Sequence, residues 1–213
     1  MTALDKFERV EVASLDELEA WLENNHEQSE SIWLVTFKKH IGDHYVPYAK
    51  VVDAALCYGW IDSVPRKLDA DRTMLLLSPR RTGSYWSGVN KRKIAKLKAE
   101  GRLRPAAIKK IEAAKADGCW NFLDDVESLV IPDDLAEAFA RYDKAKANFD
   151  AFPPSSQRGI LEWIKTAKRP ETREGRIEKT AKLAGRGNSN IGVKKRQNGR
   201  LLFASDAGAG TNV

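Results

Sequence analysis

Strand-type patterns in this chain are confined to its first eighty residues, and after residue 120 none is read. Phe7 to Val12 alternates apolar and charged residues and predicts a short half-buried strand. Ser31 to Phe37 is rich in β-branched and aromatic residues and predicts the strongest strand. Trp60–Val64 and Arg72–Leu77 predict two more. Strands first and helices afterwards point to an α+β fold rather than a regular βαβ wheel. The expected architecture is a small, mostly antiparallel sheet packed with helices over residues 1–119, then an all-helical region over 120–185. Residues 186–213, rich in Gly, Asn, Ser and Lys and weakly apolar, are expected to form a flexible tail.

The helices are marked by their ends. Ser14 with Glu17 makes a capping box ahead of Leu15, Leu18, Trp21 and Leu22, which share one face. Pro47 opens a helix to Tyr58 with the stripe Val51, Val52, Ala55 and Leu56, and Gly59 stops it. Two helices over about 87–100 and 105–117 are split by Gly101 and Pro105. Pro132 and Pro153-Pro154 begin two more. Arg169-Pro170 breaks the second, because a residue before proline resists helical dihedrals. The last helix, about 171–184, carries Ile177, Ala181 and Ala184 inward.

Charge is zoned along the chain. Residues 1–30 hold 2 basic and 9 acidic side chains, residues 91–110 hold 9 and 1, residues 111–150 hold 4 and 10, and residues 165–200 hold 12 and 3. Such zoning either attracts an anionic partner, nucleic acid included, or is satisfied internally with basic helices facing acidic ones. No apolar run reaches the roughly 18 residues that cross a bilayer, so stable membrane insertion is not expected. The first twelve residues lack the basic-then-apolar layout of an export signal. Two cysteines, Cys57 and Cys119, are too few for a disulfide framework. A cytoplasmic location is the expectation.

Two clusters suggest a binding site. In Cys57-Tyr58-Gly59-Trp60-Ile61-Asp62-Ser63, followed by Arg66-Lys67, the glycine permits a sharp helix-to-strand reversal. Aromatic faces beside a carboxylate and cations suit a planar or anionic ligand. The competing reading makes Cys57 and Trp60 core residues and Asp62 a turn cap. The second cluster, Ser78 to Arg92, puts Arg80 and Arg81 in a basic turn, Tyr85 and Trp86 behind it, and Asn90 in the first turn of a helix. Arginines beside a helix start hold phosphate, sulfate or carboxylate. The candidate ligand-binding residues are therefore Tyr58, Trp60, Asp62, Arg66, Arg80, Arg81, Trp86 and Asn90. A third basic segment, Lys165 to Arg176, reads as a helix–proline–helix corner.

Common catalytic signatures are missing. There is no phosphate loop of the G-x-x-x-x-G-K type, no dinucleotide glycine fingerprint and no G-x-S-x-G elbow. His40 and His44 are spaced four apart, but Gly42 lies between them, and no metal site or cofactor is expected.

Several of these motifs together resemble the bacterial YdeI/OmpD-associated family, also described as bacteriocin-protection proteins. They are Asp53 to Ser63, Ser78-Pro79-Arg80-Arg81 with Trp86-Ser87 and Asn90, Gly101-Arg102-Leu103-Arg104-Pro105, Ile111 to Gly118, and Ile164 to Arg176. The resemblance extends over about residues 5–185. It implies tolerance to antimicrobial peptides or envelope stress, and it brings no reaction, cofactor or catalytic residue. The expected function is a cytoplasmic, non-catalytic tolerance protein with a polar–aromatic pocket for a small anion. Two alternatives stay open: nucleic-acid binding through residues 91–110 and 165–200, and a hydrolase or transferase built on Asp62, Tyr58 and Arg66.

Overall fold

The computed structural model describes residues 4–189, 191, 193–197 and 200–203. Two compact units divide the chain after Phe122.

The first unit is built on a four-stranded mixed sheet. Its strands are β1 (Arg9–Glu11), β2 (Ile32–Phe37), β3 (Trp60–Lys67) and β4 (Arg72–Pro79), in the order β1-β2-β4-β3. The β1–β2 pair is parallel, while β2–β4 and β3–β4 are antiparallel. The central strand β2 is buried on both faces, which is why its sequence runs nearly continuously apolar instead of alternating.

The two faces of the sheet have different partners. Ile32, Leu34, Leu75 and Leu77 enter the main core. Packed with them are Leu18 and Leu22 of α1 (Leu15–Asn25) and Val51, Val52, Ala55 and Leu56 of α2 (Tyr48–Cys57). These are the stripes expected from helical spacing. The same core takes Ile94 and Leu97 from α3 (Gly88–Ala99), and Ile111 and Ala114 from α4 (Pro105–Ala116). Trp33, Val35, Met74 and Leu76 face the other way and form a smaller cluster closed by Leu4, Phe7, Val64 and Leu68. The Arg66 guanidinium covers the Trp33 ring on that side, 4.7 Å from its centroid.

Local chemistry fixes the element ends. The Glu17 N–H donates to Ser14 Oγ at 3.1 Å, and the Glu17 carboxylate accepts from the Ala13 N–H at 2.8 Å, so the capping box reaches one residue before the cap. Lys39–His44 is a 3₁₀ segment broken at Gly42. Between α2 and β3 the reversal is made by Gly59 at φ 75°. A side chain there would be strained in its backbone and would place its Cβ 2.8 Å from Lys110 Cδ and 3.3 Å from Ala107 Cα. In β3 the register shifts between Asp62 and Pro65, a bulge in a strand at the edge of the sheet.

In the second unit, α5 (Asp124–Glu127), α6 (Asp133–Ala140), α7 (Ala145–Asp150), α8 (Pro154–Lys165) and α9 (Pro170–Gly185) follow in order. Ile160, Trp163 and Ile164 of α8 and Ile177, Ala181 and Ala184 of α9 are buried as their spacing predicts. Phe149 is fully buried against Phe139 and Phe152. The short α5 and α7 were absent from the sequence reading, since four to six residues are too few to show a period.

Residues 193–197 and 200–203 are antiparallel strands, β5 and β6, in a segment where only a tail was expected. The signal for them was the dipeptide Asn198-Gly199, which favours a two-residue hairpin connection. The rest of the expected tail, 190, 192, 198–199 and 204–213, lies outside the described residues.

Two stability predictions follow from the ends of the elements. Gly59→Ala should lower the unfolding free energy by about 2 kcal/mol, from left-handed backbone strain plus the Lys110 clash. Ser14→Ala should cost about 1 kcal/mol through the lost cap. Denaturant midpoints at constant m-value check both.

Candidate functional site

Strand β4 ends at Pro79, and its next residue is turned inward. The Arg80 N–H donates to the Gly59 carbonyl at 2.9 Å, which holds the backbone against the α2–β3 reversal. The side chain then lies under the following turn. Its guanidinium stacks on the Trp86 ring at 3.6 Å from the centroid, and Nη2 donates to the Tyr85 carbonyl at 2.5 Å. Arg80 is only 8% exposed. Its Nε is buried without a hydrogen-bond partner, and among the described residues no carboxylate pairs with it. Burial alone brings its pKa down to about 10, which corresponds to a charging penalty on the order of 3 kcal/mol at neutral pH.

A cleft of about 380 Å³ opens beside this side chain. Arg80, Arg81 and Trp86 line it, together with the face of α4 that carries Ala106, Lys110 and Ala113. The Lys110 ammonium donates to the Gly59 carbonyl at 3.0 Å. Burial holds its pKa below the usual lysine range, and the Arg80 charge adds to the effect. Arg81 and Lys109 add two more cations at the wall, and neither has an ion-pair partner among the described residues. Against these four cations stand two carboxylates, Glu27 and Asp117. Asp117 is occupied at the C-terminal end of α4, where it accepts from the Cys119 N–H at 2.9 Å. The chemistry on offer is a desolvated guanidinium, further cations and a small-residue floor, a combination suited to holding an anion.

The other expected ligand residues lie elsewhere. Trp60 is a core residue, fully buried, donating from Nε1 to the His26 carbonyl at 3.1 Å and meeting Trp21 edge-on at 5.7 Å. The Tyr58 hydroxyl donates to Glu23 at 2.9 Å, with Arg104 over its ring. Asp62 accepts from the Tyr48 hydroxyl at 2.6 Å, and burial together with that carboxylate pushes the phenol pKa far up. Arg66 pairs with Asp5 at 2.6 Å. Asn90 sits in the first turn of α3, where its N–H donates to the capping Ser87 Oγ. Arg80, Arg81 and Trp86 thus come together, while Tyr58, Trp60, Asp62, Arg66 and Asn90 do not line the cleft. Tyr58, Asp62 and Arg66 have separate partners, Glu23, Tyr48 and Asp5 respectively.

Sequence reading passed over Lys109 and Lys110. Their signal was present: Ala106, Lys110, Ala113 and Asp117 recur at four- and three-residue intervals, a single helix face of small and charged residues.

Part of the zoned charge is satisfied within each unit. From the first basic segment, Lys93 pairs with Asp53, Arg102 with Glu19, and Arg104 with Glu23. In the second, Lys165 pairs with Asp125 and Arg173 with Asp134. The Arg176 guanidinium stacks on Trp163 and donates from Nη1 to its carbonyl. His40 pairs with Asp71, and His44 tilts against Phe37. Among the described residues no helix is long and apolar enough to cross a membrane.

Comparison with known proteins divides the chain in a similar place. Residues 128–187 match the family described as bacteriocin-protection, YdeI or OmpD-associated. Residues 10–110, which contain most of the cleft-forming elements, match a domain of unknown function (DUF8412). The resemblance read over 5–185 is thus met by that family in the C-terminal segment. No curated protein and no solved structure matches the chain.

Arg80 is a buried charge without a counter-charge, and replacing such a charge with an apolar side chain of similar length is neutral or stabilising. Arg80→Met should therefore unfold within about 1 kcal/mol of the parent or above it, as measured by chemical denaturation.

Proposed function

From a C-terminal segment of the bacteriocin-protection, YdeI or OmpD-associated type, we propose that this chain is a cytoplasmic, non-catalytic protein of antimicrobial-peptide or stress tolerance that senses or sequesters a small anion in the Arg80 cleft. One observation carries the reading: a guanidinium is kept buried and protonated without a carboxylate, although burial works against its charge. An anion entering the cleft supplies the missing counter-charge and offsets that penalty. Trp86 holds the guanidinium plane from behind, and Arg81, Lys109 and Lys110 surround the approach. The pairing of Lys93, Arg102, Lys165 and Arg173 with acidic residues counts against nucleic acid, because paired cations contribute little to phosphate contacts.

The test is a thermal-shift titration with sulfate, pyrophosphate and citrate. The parent should be stabilised by at least one of them, and Arg80→Met and Lys110→Met should lose most of that gain. Sulfate binding should weaken as pH rises through about 10, where free Arg80 loses its proton while sulfate keeps its charge. Equal stabilisation of parent and Arg80→Met by all three anions would reject the cleft as their site.

A further inference from the structure

A second recess lies between α3 and α4, apart from the Arg80 cleft. It has a volume of about 410 Å³, and its walls are Ile94, Leu103, Ile108, Ile111 and Trp120. Its rim is basic: Lys91, Lys98 and Lys115 stand around it with one carboxylate, Glu112. The Lys91 and Lys115 ammonium groups each lie 5.4 Å from the Trp120 ring centroid. Lys98 and Lys115 have no ion-pair partner among the described residues. An apolar floor under unpaired cations is complementary to a molecule with an apolar body and an anionic end.

The shape selects among such molecules. Ile94 and Ile111 are recessed, at 4% and 7% exposed, and Leu103 and Trp120 are half-buried. Of the wall residues named, only Ile108 stands well into solvent, at 42%. A helix is about 10 Å across with its side chains, whereas a single alkyl chain is one methylene wide and can follow a recessed floor.

We propose that the α3–α4 recess binds a free single-chain aliphatic carboxylate, with the chain along Ile94, Leu103, Ile111 and Trp120 and the carboxylate at the basic rim to which Lys98 and Lys115 contribute. The binding is non-covalent and independent of the anion cleft.

Isothermal titration with dodecanoate below its micellar threshold tests the assignment. Dodecanoate should bind, while butyrate, which lacks the chain, and dodecyltrimethylammonium, which reverses the charge, should bind about tenfold more weakly or not at all. Lys98→Glu with Lys115→Glu should weaken dodecanoate by about tenfold or more. Ala95→Phe, at an exposed wall position that projects a ring into the recess, should do the same with the fold intact. Lys50→Glu, an exposed charge change on α2, should have no effect, and Arg80→Met should keep dodecanoate binding even where it abolishes anion stabilisation. Dodecanoate affinity unchanged by both recess variants overturns the proposal. So does binding of the cationic amphiphile at equal strength. Co-sedimentation with phosphatidylglycerol vesicles in the absence of dodecanoate binding would overturn it too, in favour of a membrane surface.

Discussion

The left-handed turn at Gly59 is the constraint on which the first unit depends. It lets the chain leave α2 and enter β3 with only Tyr58 and Gly59 between them, and it leaves the Gly59 carbonyl facing two partners. The Arg80 N–H and the Lys110 ammonium both donate to that oxygen. The end of β4 and the middle of α4 are thereby tied to one point. Ala107 approaches so closely that a Cβ at residue 59 would stand 3.3 Å from its Cα, tighter than ordinary contact. The Cys57 carbonyl adds a third tie by accepting from the Arg104 N–H just before α4 begins. The cleft is the space left around this junction, so its cations are positioned by backbone geometry more than by one another.

The cations of the chain fall into two populations with different physical roles. Those paired with acids, such as Arg102 with Glu19 and Arg173 with Asp134, sit half in solvent, where each pair contributes a few tenths to one kcal/mol. They join helices within a unit and account for part of the zoning seen along the chain. Arg80 has no such partner. Its charge is held by a ring and a carbonyl, and no carboxylate among the described residues offsets the cost of burying it.

The fold was legible where side-chain periodicity and end signals agreed. Ser14, Pro47 and Gly59 marked ends, and the stripes of α1, α2, α8 and α9 marked buried faces. The strands β2 and β4 were clear because β-branched and aliphatic residues run unbroken through them. The site was legible only at Arg80, Arg81 and Trp86, which are neighbours in the chain. Trp60 and Tyr58 lie next to a glycine turn in sequence, but the direction in which a strand residue points depends on the strand's register with its neighbours. Here the register sends Trp60 into the core and leaves Asp62 to Tyr48. Lys110 escaped because its role comes from the approach of α4 to Gly59, a contact fifty-one positions apart.

The bulged edge strand also bears on how this molecule behaves in a crowded solution. β3 borders the four-stranded sheet. Pro65 removes one donor there, the register shift bends the strand, and Arg66 and Lys67 place like charges along it. A second copy offering its own border would meet a kinked strand short of one donor instead of a flat ladder, which disfavours edge-to-edge pairing at β3.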